Sequence, residues 1–195
     1  MQKNIAYGFY IFIIAMLLFN LTIFLPPLLL SIGEGEIAQP IYWALGFTCH
    51  QLDSRSYCYY AEGENIISDC TPQNEIFQVG KHEIIENSKG EIGYKIPVCS
   101  RDIGIYFSML IGGLVFLFLR KIDDEVWPHP IFLIIAMVPI VLDGGTQILH
   151  LRESTNIIRF LTGAIIGIVI AFYFIPALNQ IFNSLIRDLL GKKKK

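Results

Sequence analysis

Between Asp143 and Gly163 the chain gathers ionisable and amide side chains into a short stretch flanked by long apolar runs. Asp143 and Gln147 stand four residues apart, and Arg152, Asn156, Arg159 and Gly163 follow at steps of four, three and four. On a helix such spacings put Asp143 and Gln147 on one face and the second group on another. Charge at membrane depth is costly unless it is paired or hydrated. Guanidinium forks match phosphate and carboxylate bidentately, so Arg152 and Arg159 read as anion holders. Gln147 and Asn156 would orient polar groups. Asp143 has the chemistry of a general base, a proton carrier or a metal ligand, or of the internal counter-ion of Arg152 or Arg159. The two flanking runs turn back near Leu149 to Ser154, so Asp143 is expected within salt-bridge reach of at least one of those arginines.

A second constellation enters the same region from an earlier loop. Cys49 and His50 precede that loop and Cys99 and Asp102 follow it. Two thiolates, an imidazole and a carboxylate make a four-ligand zinc set. A Cys49–Cys99 disulfide or two free thiols fit the same spacing, and all three readings stay open. Arg55 and Arg101 extend the cationic set. His50 joins Asp143 as a residue able to move protons. The plainer reading has these arginines contacting lipid headgroups or pairing with Asp53, Asp102 or Glu153. His150 reads as a satisfied interfacial neighbour.

The elements that must hold these residues are mostly apolar. Of 195 residues, 53% are hydrophobic and only 16% charged, with a mean hydropathy of +0.52. That balance excludes a disordered chain and fits a polytopic membrane protein. Ile5 to Leu30 is long enough for a tilted span, retained as a signal anchor. The sequon at Asn20 lies inside that span and is unusable. Pro40 to Phe47 makes a short amphipathic helix with Tyr42 and Trp43 suited to an interface. Ile103 to Leu119 is the second span, with Gly104, Ser108 and Gly112 forming a small-residue stripe. Ile131 to Leu142 begins the third, kinked by Pro139. Ile157 to Leu178 is the fourth, with Gly163 and Gly167 as a second stripe. An amphipathic stretch from Asn179 to Leu190 leads to four terminal lysines, suited to anionic lipid headgroups.

Residues 57–98 read as a small ectodomain. Two strand-like segments, 75–80 and 83–87, precede a turn at Asn87 to Gly90 and a returning strand, Glu91 to Pro97. A hairpin alone is marginal, and a Cys58–Cys70 disulfide would staple it. Arg120 and Lys121 in a short loop, with Arg187 and the lysine tail, place both termini in the cytoplasm and residues 50–98 outside. No basic patch with interleaved aromatics is present, which excludes nucleic acid as an expected partner. The small-residue stripes also suit a helix–helix oligomer.

The combined motifs resemble a known pattern: Cys49-His50-Gln51, Arg55-Ser56, Pro97-Val98-Cys99-Ser100-Arg101, Gly104-Ile105-Tyr106, Asp143 to Gln147, Leu151 to Asn156, Arg159 and Thr162-Gly163. Over roughly residues 40–168 they resemble an uncharacterised family of small prokaryotic membrane proteins known only as a domain of unknown function. That resemblance implies membrane location and carries no established activity. In the family's bacterial pattern the second motif is a Cys-x-x-Cys. Here Asp102 replaces the second cysteine, and Cys58 and Cys70 lie in a longer loop. The departure weighs against a dithiol mechanism and leaves a metal with a carboxylate ligand in place. The last two spans also resemble the VanZ-like membrane proteins linked to glycopeptide tolerance, which implies envelope-lipid or cell-wall chemistry.

The expected fold is therefore an all-α integral membrane protein of four transmembrane helices, with a small Cys-bearing β-hairpin ectodomain between helices 1 and 2. Residues 1–48 hold the first span and the interfacial helix, 49–100 the extracytoplasmic loop, 101–178 spans two to four with the polar site, and 179–195 the basic tail. The leading functional expectation is an outward-facing site for an anionic or phosphorylated lipid-linked substrate. The alternatives are a non-enzymatic membrane scaffold, or a metal or thiol-redox protein using Cys49, His50 and Cys99.

Overall fold

The computed structural model describes residues 6–49, 52–62, 65–70, 83–87 and 89–192. Four helices are long and apolar enough to cross a membrane: α1 (Tyr7–Ser31), α3 (Ser100–Leu119), α4 (Ile131–Ile148) and α5 (Asn156–Lys192). A short helix α2 (Gly35–Leu45) follows α1. Between α2 and α3 lie a 3-10 turn (Asp53–Arg55) and four strands, β1 (Tyr57–Tyr60), β2 (Ile67–Asp69), β3 (Ile84–Glu86) and β4 (Ile92–Lys95).

The central packing is α3 against α5, and glycine makes it possible. A Cβ on Gly104 would sit 2.3 Å from the Phe160 carbonyl oxygen, and one on Gly163 would sit 2.3 Å from that of Arg101. Gly167 is as tight, 2.1 Å from the Ser108 hydroxyl. The two small-residue stripes thus meet each other inside the chain, letting the backbones approach as bilayer packing favours. Helix α1 closes the other side through Phe9, Phe12, Met109, Phe116, Ala171 and Ile175. Helix α4 leans on α5 and keeps an exposed apolar flank that includes Phe132, Ile134, Ile135, Val138 and Leu142.

The strands form one antiparallel sheet in the order β2-β1-β4-β3, not a lone hairpin. The hairpin expected around Asn87 to Gly90 is its β3–β4 half. Its turn is closed by the Asn87 side-chain oxygen, which accepts from the Lys89 and Glu91 amides at 2.9 and 3.0 Å. The expected strand at 75–80 lies outside the described residues. Cys58 on β1 and Cys70 after β2 are disulfide-bonded as expected. Tyr60 lies over Gly93 of the neighbouring strand, a contact that a Cβ at Gly93 would block at 2.5 Å. The sheet is seated on the helices: Ile96 and Val98 pack with Ile23, Leu45 and Ile103, and the Tyr42 hydroxyl donates to the Lys95 carbonyl.

Helix α4 continues past Leu142 and carries Asp143 and Gln147, as their helical spacing implied, with Pro139 accommodated. Two boundaries differ from those the sequence suggests. Arg152 is not on α5, which starts at Asn156; it sits in the turn between the helices, so the expected shared face with Asn156, Arg159 and Gly163 begins only at Asn156. The fourth span runs on through the amphipathic stretch as one continuous helix to Lys192, with Asn179 buried inside the bundle.

Candidate functional site

The polar site is built at the sheet end of the bundle from α3, α4, α5 and the turn before α5. Asp143 points inward from α4 and is only 2% exposed. Its two oxygens hold separate guanidiniums: Oδ2 accepts from Arg101 Nη2 at 2.5 Å and Oδ1 from Arg152 Nη2 at 2.7 Å. The expected pairing of Asp143 is thus with Arg152, joined by Arg101 from α3. Arg152 reaches back because α4 ends sharply. His150, at φ +54°, occupies the left-handed position after the helix, and the amides of His150 and Leu151 donate to the carbonyls of Gln147 and Thr146. That is a Schellman ending with histidine where glycine usually stands.

Arg159, one turn into α5, is 4% exposed. Its Nη1 donates to Asn156 Oδ1 at 3.0 Å and to the Ser54 carbonyl at 3.3 Å. Facing two guanidiniums, which only donate, the Gln147 amide turns its oxygen toward them. It then accepts from Arg159 at 2.8 Å and Arg55 at 3.3 Å. Arg55 and Arg101 both lie near enough to repel Arg159. The buried Nε atoms of Arg101 and Arg159 have no hydrogen-bond partner among the described residues.

Asn156 is the joint between bundle and sheet. Its oxygen accepts from Ser100 Oγ at 2.9 Å and from Arg159, while its nitrogen donates to Asp69 Oδ1 at 3.0 Å and the Ser56 carbonyl at 3.4 Å. All four capacities of one buried amide are thereby used. The sequence assigns Asn156 a site role, whereas Ser56 and Ser100 stand in the quoted motifs without one and Asp69 lies outside them. No motif flags a serine or an edge-strand aspartate as a partner from another element.

Beside this cluster, Cys49, Cys99 and Asp102 bring their ligand atoms within 4.8 Å of one another. Cys49 and Cys99 are not disulfide-bonded. The Cys99 amide donates to Cys49 Sγ at 3.1 Å, and the Cys99 thiol donates to Asp102 Oδ2 at 3.0 Å. Its hydrogen bonding to Cys49, with burial added, pushes the Cys99 thiol well above the ordinary range, so it is protonated in this arrangement. His50 lies outside the described residues. Asp53 is buried against Lys95 at 2.7 Å. Burial there holds the Lys95 ammonium below its usual range, an effect the Asp53 carboxylate opposes.

Comparison with known proteins agrees with this architecture. A relative in Methanocaldococcus jannaschii, itself uncharacterized, is 33% identical over 171 residues, covering 85% of this chain and 89% of its own. The family model for predicted membrane proteins called DUF2085 matches residues 82–173. The chain belongs to the DUF2085 family of predicted membrane proteins. A second uncharacterized relative, from Methanothermobacter thermautotrophicus, is 37% identical over 81 residues, 40% of this chain and 69% of its own. No solved structure matches. The DUF2085 segment spans β3 to the middle of α5, and so contains Cys99, Arg101, Asp102, Asp143, Gln147, Arg152, Asn156 and Arg159.

Proposed function

We propose that the arginine cluster at the sheet end is an extracytoplasmic site that binds, and acts on, an anionic or phosphorylated lipid-linked substrate. The observation that carries this is a charge imbalance in a buried place. Four guanidiniums, those of Arg55, Arg101, Arg152 and Arg159, converge around Asp143 and the neutral Gln147. Asp143 satisfies Arg101 and Arg152. Arg159, nearly fully buried, meets only neutral acceptors among the described residues and keeps an unpartnered Nε. Buried cations are ordinarily paired, and a phosphate supplies the missing charge in the geometry that guanidinium forks prefer.

The lipid half of the reading rests on a groove along the same helices, at the end remote from the arginines. Helix α4 packs on α5 and scarcely touches α3. Toward the other end of the bundle these three helices border an apolar groove of about 570 Å³, lined in part by Leu119, Phe132, Ile168 and Phe172. From Phe132 to Asp143 the distance along α4 is roughly 16 Å at the helical rise, enough to separate a headgroup from the chain that follows it. In this reading Asp143 orients Arg101 and Arg152, Gln147 and Asn156 position Arg55 and Arg159, and Asp143 and His50 are the residues assigned to move protons.

The test is the unfolding temperature of purified protein with a polyprenyl phosphate, with the matching neutral polyprenol, and with inorganic phosphate. Stabilisation by the phosphorylated lipid alone is expected. Equal stabilisation by the neutral lipid overturns the reading, and stabilisation by inorganic phosphate as strong as by the lipid removes its lipid half. Orientation is tested separately: impermeant thiol reagents should reach Cys58 and Cys70 in intact cells after reduction. Labelling only after permeabilisation reverses the assigned sidedness.

A further inference from the structure

The Cys49–Cys99–Asp102 group is chemically unlike the arginine site beside it. Two sulfurs and a carboxylate oxygen converge within 4.8 Å. A tetrahedral zinc with bonds of about 2.3 Å to sulfur and about 2.0 Å to oxygen needs its ligands roughly 3.5 to 3.8 Å apart, so small side-chain rotations close the set. Cys99 stands at the N-cap of α3, and Asp102 lies in that helix's first turn. The helix dipole favours negative charge at both places. The Cys99 amide already donates to Cys49 Sγ at 3.1 Å, the kind of outer hydrogen bond that orients a thiolate ligand. Cations stand around the group as well: Lys95 is within electrostatic reach of Cys49, and Arg159 of Cys99. Three anionic ligands would carry a charge of −3, which a divalent ion and these neighbours offset.

A contrast within the chain points the same way. Cys58 and Cys70 are bridged, yet Cys49 and Cys99, on the same end of the bundle with their sulfurs in near contact, are not. In a compartment that oxidises the first pair, a neighbouring pair left as thiols needs protection.

We infer that Cys49, Cys99 and Asp102 form a divalent transition-metal site, zinc by ligand type, these three being its ligands among the described residues. Thiolate with carboxylate suits zinc over magnesium or calcium, which take oxygen ligands alone. Thiolates, not thiols, are the ligands, so metal binding is coupled to release of any proton the two cysteines carry. The centre shares no ligand with the anion site, although Arg159 of that site lies within electrostatic reach of Cys99.

The experiment is a cobalt(II) titration of the full chain in detergent, stripped of metal and with the Cys58–Cys70 bridge intact. One equivalent should bind with a thiolate-to-cobalt charge-transfer band in the near ultraviolet, and one equivalent of zinc(II) should abolish it. Cys49→Ser and Cys99→Ser should each lose most of that band. Asp102→Asn should keep it while weakening binding by about tenfold or more. Absence of the band in the wild-type protein overturns the inference, and so does its persistence in the Cys49→Ser/Cys99→Ser double variant. Because the wild-type spectrum is decisive by itself, a variant that fails to fold does not shelter the proposal.

Discussion

Helix α5 carries a polar cluster at each end, and the two are closed to different degrees. At the end remote from the sheet, Asn179 is fully buried and both its oxygen and its nitrogen are hydrogen-bonded. Its oxygen accepts from the Phe9 amide in the first turn of α1 at 3.2 Å, and its nitrogen donates to the Ile122 and Asp124 carbonyls at 2.9 and 3.0 Å. Gly8 lets α1 come that close, since a Cβ there would lie 2.2 Å from the Asn179 backbone nitrogen. Asn183 holds Glu125 in the same manner. That cluster is neutral where it is buried, and it ties a loop and a helix start to α5. At the sheet end the buried groups are charged, cations outnumber the anion they surround, and two Nε atoms are unmatched. Buried polar groups that only hold a fold tend to be fully satisfied. The less satisfied end is therefore where the proposed site is placed.

Mutation separates the two ends by what each one breaks. The largest effect is expected for Asp143→Asn, which leaves Arg101 and Arg152 without their counter-ion. Loss of about 3–5 kcal/mol of stability is typical of a broken buried pair, measured by denaturant or thermal unfolding in micelles. Asn179→Ala comes next, at about 3 kcal/mol, because an amide and two carbonyls lose their partner in a dry place; binding of the phosphorylated lipid to whatever remains folded should be unchanged. Arg159→Gln inverts that pattern. Stability should move by only about 1 kcal/mol, since a buried cation with like-charged neighbours is exchanged for an amide, while affinity for the phosphorylated lipid drops by about tenfold or more. The smallest effect is His150→Gly, which relieves the left-handed strain after α4 and should stabilise by about 1 kcal/mol or less. A destabilising outcome would show that the imidazole makes a contact that outweighs the strain.

The sequence showed the four apolar helices well, because their length and composition leave little else to be. Gly104 with Gly163 and Gly167 also announced close packing, although only the structure shows that the partners are each other. Asp143 with Arg152 was legible from the cost of unpaired charge at depth. Arg101 as the second partner was not, since α3 and α4 are joined by a loop at the opposite end and nothing local sets their rotation. The four-stranded sheet was missed because β1 and β2 are four and three residues long, too short for alternation to register. The Lys95–Asp53 pair was invisible for a related reason: a lysine in a strand reads as solvent-facing until the layer beneath it is known.

The central claim is that Arg159 and its neighbours hold a phosphate-bearing amphiphile. Native mass spectrometry of the protein extracted in mild detergent addresses it most directly. Wild-type and Asn179→Gln protein should retain one phosphorus-containing lipid per chain, and Arg159→Gln should release it. Retention by Arg159→Gln equal to that of the wild type, or no bound lipid in the wild-type protein, would contradict the account.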